Sequence, residues 1–316
     1  MKMHKSTSGF SLIELLIAVA LGIVVVGATL GIFISNRQTY ITAENVGRVQ
    51  ENARTAFELM TRDVREAGGT PCAKQLLIAN MLNTPGTNWW DNWTTPVFGY
   101  ESGAMPGTND VAGTDAIEIK SGSASVYTVA SYASPTFTLN TPPTAIAVGD
   151  VLVACDFRQA AIFSATTVAG STIGHAASAG VGGNCGVGLG FRVPRTCTTA
   201  YTYPANSLLT KLNATRWYIR VNGRPNGSRS LYRDVLRSNA TVTEEVADGV
   251  SDMQIQYLLP GATDYVDASA INAVRWPDVN SVRINFTLEG PDRIGTDGQT
   301  IKRTMAHTVT LRNRNS

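Results

Sequence analysis

Between residues 15 and 34 the chain carries no charged side chain and only one hydroxyl, Thr29. As a helix those ~20 residues span about 30 Å, the hydrocarbon thickness of a bilayer. The apolar pattern then becomes one-sided without breaking. Val46, Val49, Ala53, Ala56, Phe57, Met60, Val64 and Ala67 recur at steps of three and four, with Arg48, Glu51, Arg54, Glu58, Arg62 and Arg65 on the other faces. Glu58 with Arg62, and Arg62 with Glu66, stand one turn apart, where opposite charges pair on exposed helix surface. Gly68 and Gly69 followed by Pro71 supply a cap and a stop. The pattern predicts one helix over about residues 11–67, roughly 85 Å long.

Beyond Pro71 the period changes to two. Trp217, Ile219 and Val221 alternate with Arg216, Tyr218 and Arg220, and residues 231–235 follow across a turn-rich connection, which predicts a hairpin. Val282, Ile284, Phe286 and Leu288 alternate with Arg283, Asn285, Thr287 and Glu289, and Met305, His307, Val309 and Leu311 repeat the pattern. Such strands belong to an antiparallel sheet with one apolar face, and the second half of the long helix is the candidate to cover it. In the middle, residues 116–120, 124–129, 136–139, 151–155 and 161–166 are short strand candidates, and residues 84–107 and 170–199 read as loops. The fold class is α+β.

Composition changes this picture little. The net charge is +2 and charged residues make up 16% of the chain, so no strongly basic surface is implied and nucleic acid is not an expected partner. Catalytic chemistry has no residues to stand on. His175 sits in a Gly/Ala/Ser-rich loop, His307 falls on the apolar side of the last strand pattern, and no nucleophile turn such as GxSxG occurs. No cofactor and no metal are expected, since the cysteines include no CxxC and the histidines have no ligand spacing.

Glu14 is the exception in the apolar stretch. It is a lone carboxylate at the mouth of the membrane-length run, a costly placement that calls for a partner. The string Gly9-Phe10-Ser11-Leu12-Ile13-Glu14-Leu15, preceded by Lys2, His4 and Lys5 without an acid, resembles the class III leader of type IV pilins and type II secretion pseudopilins. The resemblance implies a type IV pilin-like fold, with the long helix packed on an antiparallel β-sheet head with long loops. It also implies cleavage by a prepilin peptidase between Gly9 and Phe10, methylation of the new amine of Phe10, and pairing of Glu14 with that amine on a neighbouring subunit. A buried carboxylate opposite an amine satisfies both charges. The implied organisation is a leader at 1–9, a transmembrane and filament-core helix at 10–36, an amphipathic continuation at 37–68, and an exported β-rich head at 69–316.

Later segments narrow the resemblance. Glu51-Asn52-Ala53-Arg54, the run from Arg62 to Gly68, Gly149-Asp150-Val151, residues 249–257 and residues 308–314 are similar to PilW-like minor pilins. Those relatives imply a scarce subunit that primes pilus assembly and sits at or near the tip, with other minor pilins, the major pilin, the inner-membrane assembly machinery and a tip adhesin as partners. They imply a single-pass place in the bacterial inner membrane, N-terminus cytoplasmic and head periplasmic, and then the pilus surface. The tip pseudopilin of type II secretion shares this architecture, and an adhesin or binding module is the alternative from another class.

Four cysteines lie on the side that would be exported, where oxidation is expected. Three pairings are open; the short spacing inside a Gly-rich loop favours Cys185 with Cys197, leaving Cys72 with Cys155. Trp89, Trp90 and Trp93 cluster in a polar loop, where they could form an interface for another subunit or cap a satellite core.

Overall fold

A computed structural model describes residues 10–73, 76–224, 228–294 and 298–313. Its compact units are two: residues up to 50 with 290–301, and residues 51–289 with those from 302 onward. One helix, α1 (Leu12–Glu66), runs through 55 residues.

In the first unit the apolar side chains of α1 from Leu12 to Ile34 stand exposed, in a stretch long and apolar enough to cross a membrane. Further along, Asn45 is buried. Its Nδ2 donates to the Ile41 carbonyl at 2.9 Å and to Asp292 Oδ2 at 3.1 Å, so the 290–301 segment is fastened to the helix there.

In the second unit, Ala53, Ala56, Met60 and Val64 are buried, at the three- and four-residue steps that place them on one face of α1. Arg62 meets Glu66 at 3.6 Å, but Glu58 turns back to Arg54 at 2.8 Å and does not pair with Arg62. Glu58 has an arginine one turn away on each side, and Arg62 is taken by Glu66. The helix stops as glycine allows. Gly68 has φ +69° and its N–H donates to the Lys120 carbonyl at 2.8 Å, while Gly122 N–H donates to Gly69 at 2.8 Å.

The strands are β1 (Leu77–Asn80), β2 (Val97–Tyr100), β3 (Ala116–Ala133), β4 (Thr136–Leu139), β5 (Val151–Cys155), β6 (Gln159–Ser164), β7 (Thr167–Ala169), β8 (Thr172–Gly174), β9 (Leu208–Val221), β10 (Arg229–Arg237), β11 (Ala240–Asp248), β12 (Val250–Leu258), β13 (Val266–Asp267), β14 (Ser281–Glu289) and β15 (Lys302–Thr310). Four of them make an antiparallel sheet in the order β13-β12-β14-β15. Met253, Ile255 and Tyr257 of β12 and Val282, Ile284, Phe286 and Leu288 of β14 form its buried face, and Phe57 of α1 packs against Phe286 with the rings tilted and their centroids 4.8 Å apart. A larger sheet runs β1-β6-β5-β9-β3-β4-β8-β7, with β10 and β11 attached through β9, and β2 on β3. Its β1–β6 pair is parallel and its other pairs are antiparallel.

Where two short strands were expected at 116–120 and 124–129, β3 is a single 18-residue strand. Its pairing with β9 breaks register between Gly122 and Val126. The Ser/Gly-rich segment there looks like a turn in sequence, yet Thr210 Oγ1 lies 2.9 Å from both the Ser123 and Ser125 carbonyls and pins it as a bulge. The expected loop at 84–107 contains β2, and that at 170–199 contains β8.

Candidate functional site

The helix begins with a reciprocal pair of hydrogen bonds. Ser11 N–H donates to Glu14 Oε2 at 3.0 Å, and Glu14 N–H donates to Ser11 Oγ at 3.3 Å. This is the capping box that the order Ser-x-x-Glu encodes, satisfying two backbone donors that a helix start leaves unpaired. The carboxylate also lies in the first turn, where the helix dipole favours negative charge. Phe10, the residue before Ser11, is exposed. Gly9 lies outside the described residues. The sequence pointed to Glu14 through its cost; the role of Ser11 was legible in the same string and was missed.

In the head, Cys72 is bonded to Cys155 and Cys185 to Cys197. The first bond ties the segment after α1 to β5, and the second closes a loop of sequence separation 12. Arg195, inside that loop, donates to the carbonyls of Asn80 at 3.1 Å and Leu82 at 2.9 Å and lies 3.2 Å from Cys185 Sγ.

Trp90 and Trp93 do not present their indoles outward. Both are buried in a cluster with Val151, Val153, Cys155, Ile162 and Leu212, as in a satellite core, and Trp93 also lines the cleft between this loop and β1. Trp89 is half-buried: the Arg216 guanidinium lies 4.4 Å over its ring, and its Nε1 donates to Thr241 Oγ1 at 3.1 Å. The loop is shaped by Asp91, which accepts from Gly86 N–H at 2.7 Å, Asn88 N–H at 3.1 Å and Asn88 Nδ2 at 2.8 Å.

Between this loop and β1 lies a cleft of about 610 Å³. Leu76, Leu77, Ile78, Trp93 and Phe191 give it an apolar lining, with Asp91 and Asp278 as the charged residues among the described lining. Its volume is that of a ligand pocket. Nothing in the sequence brings residues 76–78 to Phe191; the parallel β1–β6 pairing does, since Phe191 N–H donates to Gln159 Oε1 at 3.0 Å and Gln159 is opposite Leu77.

The two head histidines exchange the places expected of them. His175 is fully buried among Tyr132, Phe137 and Phe163, its Nε2 3.0 Å from Tyr132 Oη, and burial pushes its pKa down to about 4. His307 is exposed because β15 is the edge of its sheet; it leans on Phe57 at 5.4 Å. Other buried charges are held internally. Lys120 meets Glu118 at 3.2 Å, and Arg216 meets Asp234 at 3.4 Å. Burial lowers the Lys120 pKa, with Glu118 opposing, and raises that of Asp63, opposed by Arg233 and by a 3.0 Å bond from Trp217 Nε1. Among the described residues no group of acidic, histidine and cysteine side chains has the arrangement of a metal site.

Residues 216–313 match the family model of the Type IV Pilus-assembly protein W, and residues 4–30 match that of the prokaryotic N-terminal methylation motif. The first match runs from within β9 to just beyond β15; the second contains Gly9, Phe10, Ser11 and Glu14. No curated protein and no solved structure matches the chain. Pilin-type domains are structural and not enzymatic. The leader motif and the apolar helix support a membrane-anchored, pilus-associated protein that interacts with prepilin peptidase and pilus assembly components. The chain thus joins an N-methylation-type leader motif to a C-terminal segment similar to PilW, and the two matches together are consistent with a PilW-like, type IV pilus-related pilin.

Proposed function

We propose that this chain is a minor pilin that is cut between Gly9 and Phe10, primes assembly of a type IV pilus, and remains at or near its tip. The observation that carries the reading is the start of α1. A capped, acidic first turn opens the stretch of α1 from residue 15 to 34, which carries no charge and whose apolar side chains are exposed, and this suits lateral packing against equivalent helices. Residues 1–9 are then the leader, 10–36 the membrane and filament-core helix, 37–68 its amphipathic continuation and 69–316 the exported head. Before assembly the N-terminus is cytoplasmic and the head periplasmic, across the bacterial inner membrane. In the filament, the methylated amine of Phe10 on a neighbouring subunit takes the Glu14 carboxylate as its counter-charge. Other minor pilins, the major pilin, the assembly machinery and a tip adhesin are the partners.

A deletion strain tests this. The priming role predicts that surface pili fall sharply in number and return when the full-length gene is restored. Normal pilus numbers with lost attachment would instead mark the chain as an adhesin, and intact pili with blocked protein export would mark it as a type II secretion pseudopilin.

A further inference from the structure

The cleft beside β1 is bounded by a strand edge that offers backbone groups to a ligand. Among the described residues β1 is the terminal strand of its sheet and pairs only with β6. Met81 N–H donates to the Ile162 carbonyl at 2.8 Å, and Asn80 is opposite Ile162. In a parallel ladder that phase turns residues 77, 79 and 81 towards β6 and residues 78 and 80 away from it. The Asn80 carbonyl is taken by Arg195. Among the described residues no partner meets the N–H or carbonyl of Ile78 or the N–H of Asn80. Both residues line the cleft.

The side-chain chemistry narrows the occupant. No lysine or arginine is among the described lining residues. Asp91 is already hydrogen-bonded by its own loop, and Asp278 is paired with Arg275 at 2.9 Å. A cation would find these carboxylates already in use. A neutral, extended backbone matches the free groups of β1, and alternate apolar side chains match Leu77, Ile78 and Phe191. Leu77 is 56% exposed, a high value for a leucine beside an apolar cleft.

We propose that an extended apolar segment of another pilus subunit adds to the outward edge of β1 as a further strand, its side chains seated in this cleft. The mode is strand addition, in which backbone bonds supply affinity and pockets for alternate side chains supply specificity. That the donor is a pilus subunit rests on the pilin reading; the edge and the cleft do not.

The test uses the full-length chain in living, piliated cells. Leu77→p-benzoylphenylalanine places a photo-reactive group at the cleft, and the same replacement of the exposed Val148 serves as control. Adducts are mapped by peptide mass spectrometry, and the chain is assayed in sheared pili in parallel. The expected result is an adduct from position 77 and not from 148, mapping to an extended apolar segment of another pilus subunit. It should fall at least tenfold when Ile78→Pro removes the outward donor, a substitution that an edge strand tolerates on its unpaired side. Non-reducing gel mobility confirms that both disulfides still form in the proline variant. Incorporation into pili without a peptide adduct, an adduct only to lipid or glycan, or an adduct unchanged by Ile78→Pro in the disulfide-bonded chain would overturn the proposal while leaving the pilin reading standing. A proline variant that lost its disulfides is replaced by Leu77→Lys carrying the photo-reactive group at Ile78, with the same expected and overturning outcomes. A mapped apolar adduct in a chain absent from sheared pili would keep the cleft as a strand-addition site but overturn the donor as a pilus subunit.

Discussion

At the scale of single residues, Ser11 and Glu14 do two jobs with one geometry. The hydroxyl and the carboxylate start the helix, and the same bonds hold the carboxylate beside Phe10. Ser11→Ala removes one side of the box and should cost the first turn about 1 kcal/mol. Hydrogen exchange of the amides of residues 12–15 in membrane-mimetic solution should speed up severalfold, and Ser11→Thr should restore it. His175 belongs to this scale as well. Its folded pKa of about 4 lies below the unfolded value of 6.5. The unfolded chain therefore binds the extra proton first, so stability conferred by the neutral ring is complete above pH 6.5 and drains away as pH falls towards 4. At about 1.4 kcal/mol per unit this amounts to roughly 3 kcal/mol. Denaturant titrations at pH 7 and pH 4.5 should show that loss in the wild type, and much less of it in His175→Gln, which can still accept from Tyr132. The sequence around His175 reads as a solvated loop because its neighbours are small. Those small residues let the ring drop among Tyr132, Phe137 and Phe163, whose proximity only the tertiary fold creates.

At the scale of elements, α1 is nearly continuous with its sequence pattern, ending at Glu66 where glycine and proline signals follow. The pattern is sharp because a 3.6-residue period leaves few alternatives over so many residues. It also separates neighbours. Met60 is fully buried, whereas Leu59 is 37% exposed. Met60→Ala should cost about 2–5 kcal/mol by urea unfolding, and Leu59→Ala well under half as much. Strands β4, β5 and β14 were equally readable, being short or strictly alternating. The long β3 was not, because Gly122 and the serines around it carry turn chemistry that the Thr210 side chain overrides from another strand. The tryptophan loop left two readings open for a related reason: its polar flanks do not show that Asp91 takes up the local donors and that Trp90 and Trp93 are buried.

At the scale of the whole molecule, the order of strands was not legible, since β1 joins β6 across about 80 residues and no local pattern announces it. The two disulfides act at this scale. Their sequence separations of 83 and 12 correspond, in the loop-entropy picture, to about 4.5 and about 3 kcal/mol. The pair of replacements Cys72→Ser and Cys155→Ser should therefore lower the unfolding midpoint of the full-length chain more than Cys185→Ser with Cys197→Ser, measured by thermal denaturation in detergent. The same scale holds the functional claim. Glu14 is the lone charge at the mouth of the apolar stretch of α1, and under the proposed function assembly is where that charge is answered. Glu14→Gln isolates it, since glutamine keeps the capping box and removes the charge. The decisive measurement is the amount of the Glu14→Gln chain in sheared pili, normalised to its level in the membrane. The account predicts a fall of about tenfold or more, the effect of losing at least 1.4 kcal/mol of pairing, with leader cleavage intact. Incorporation at the wild-type level would contradict it.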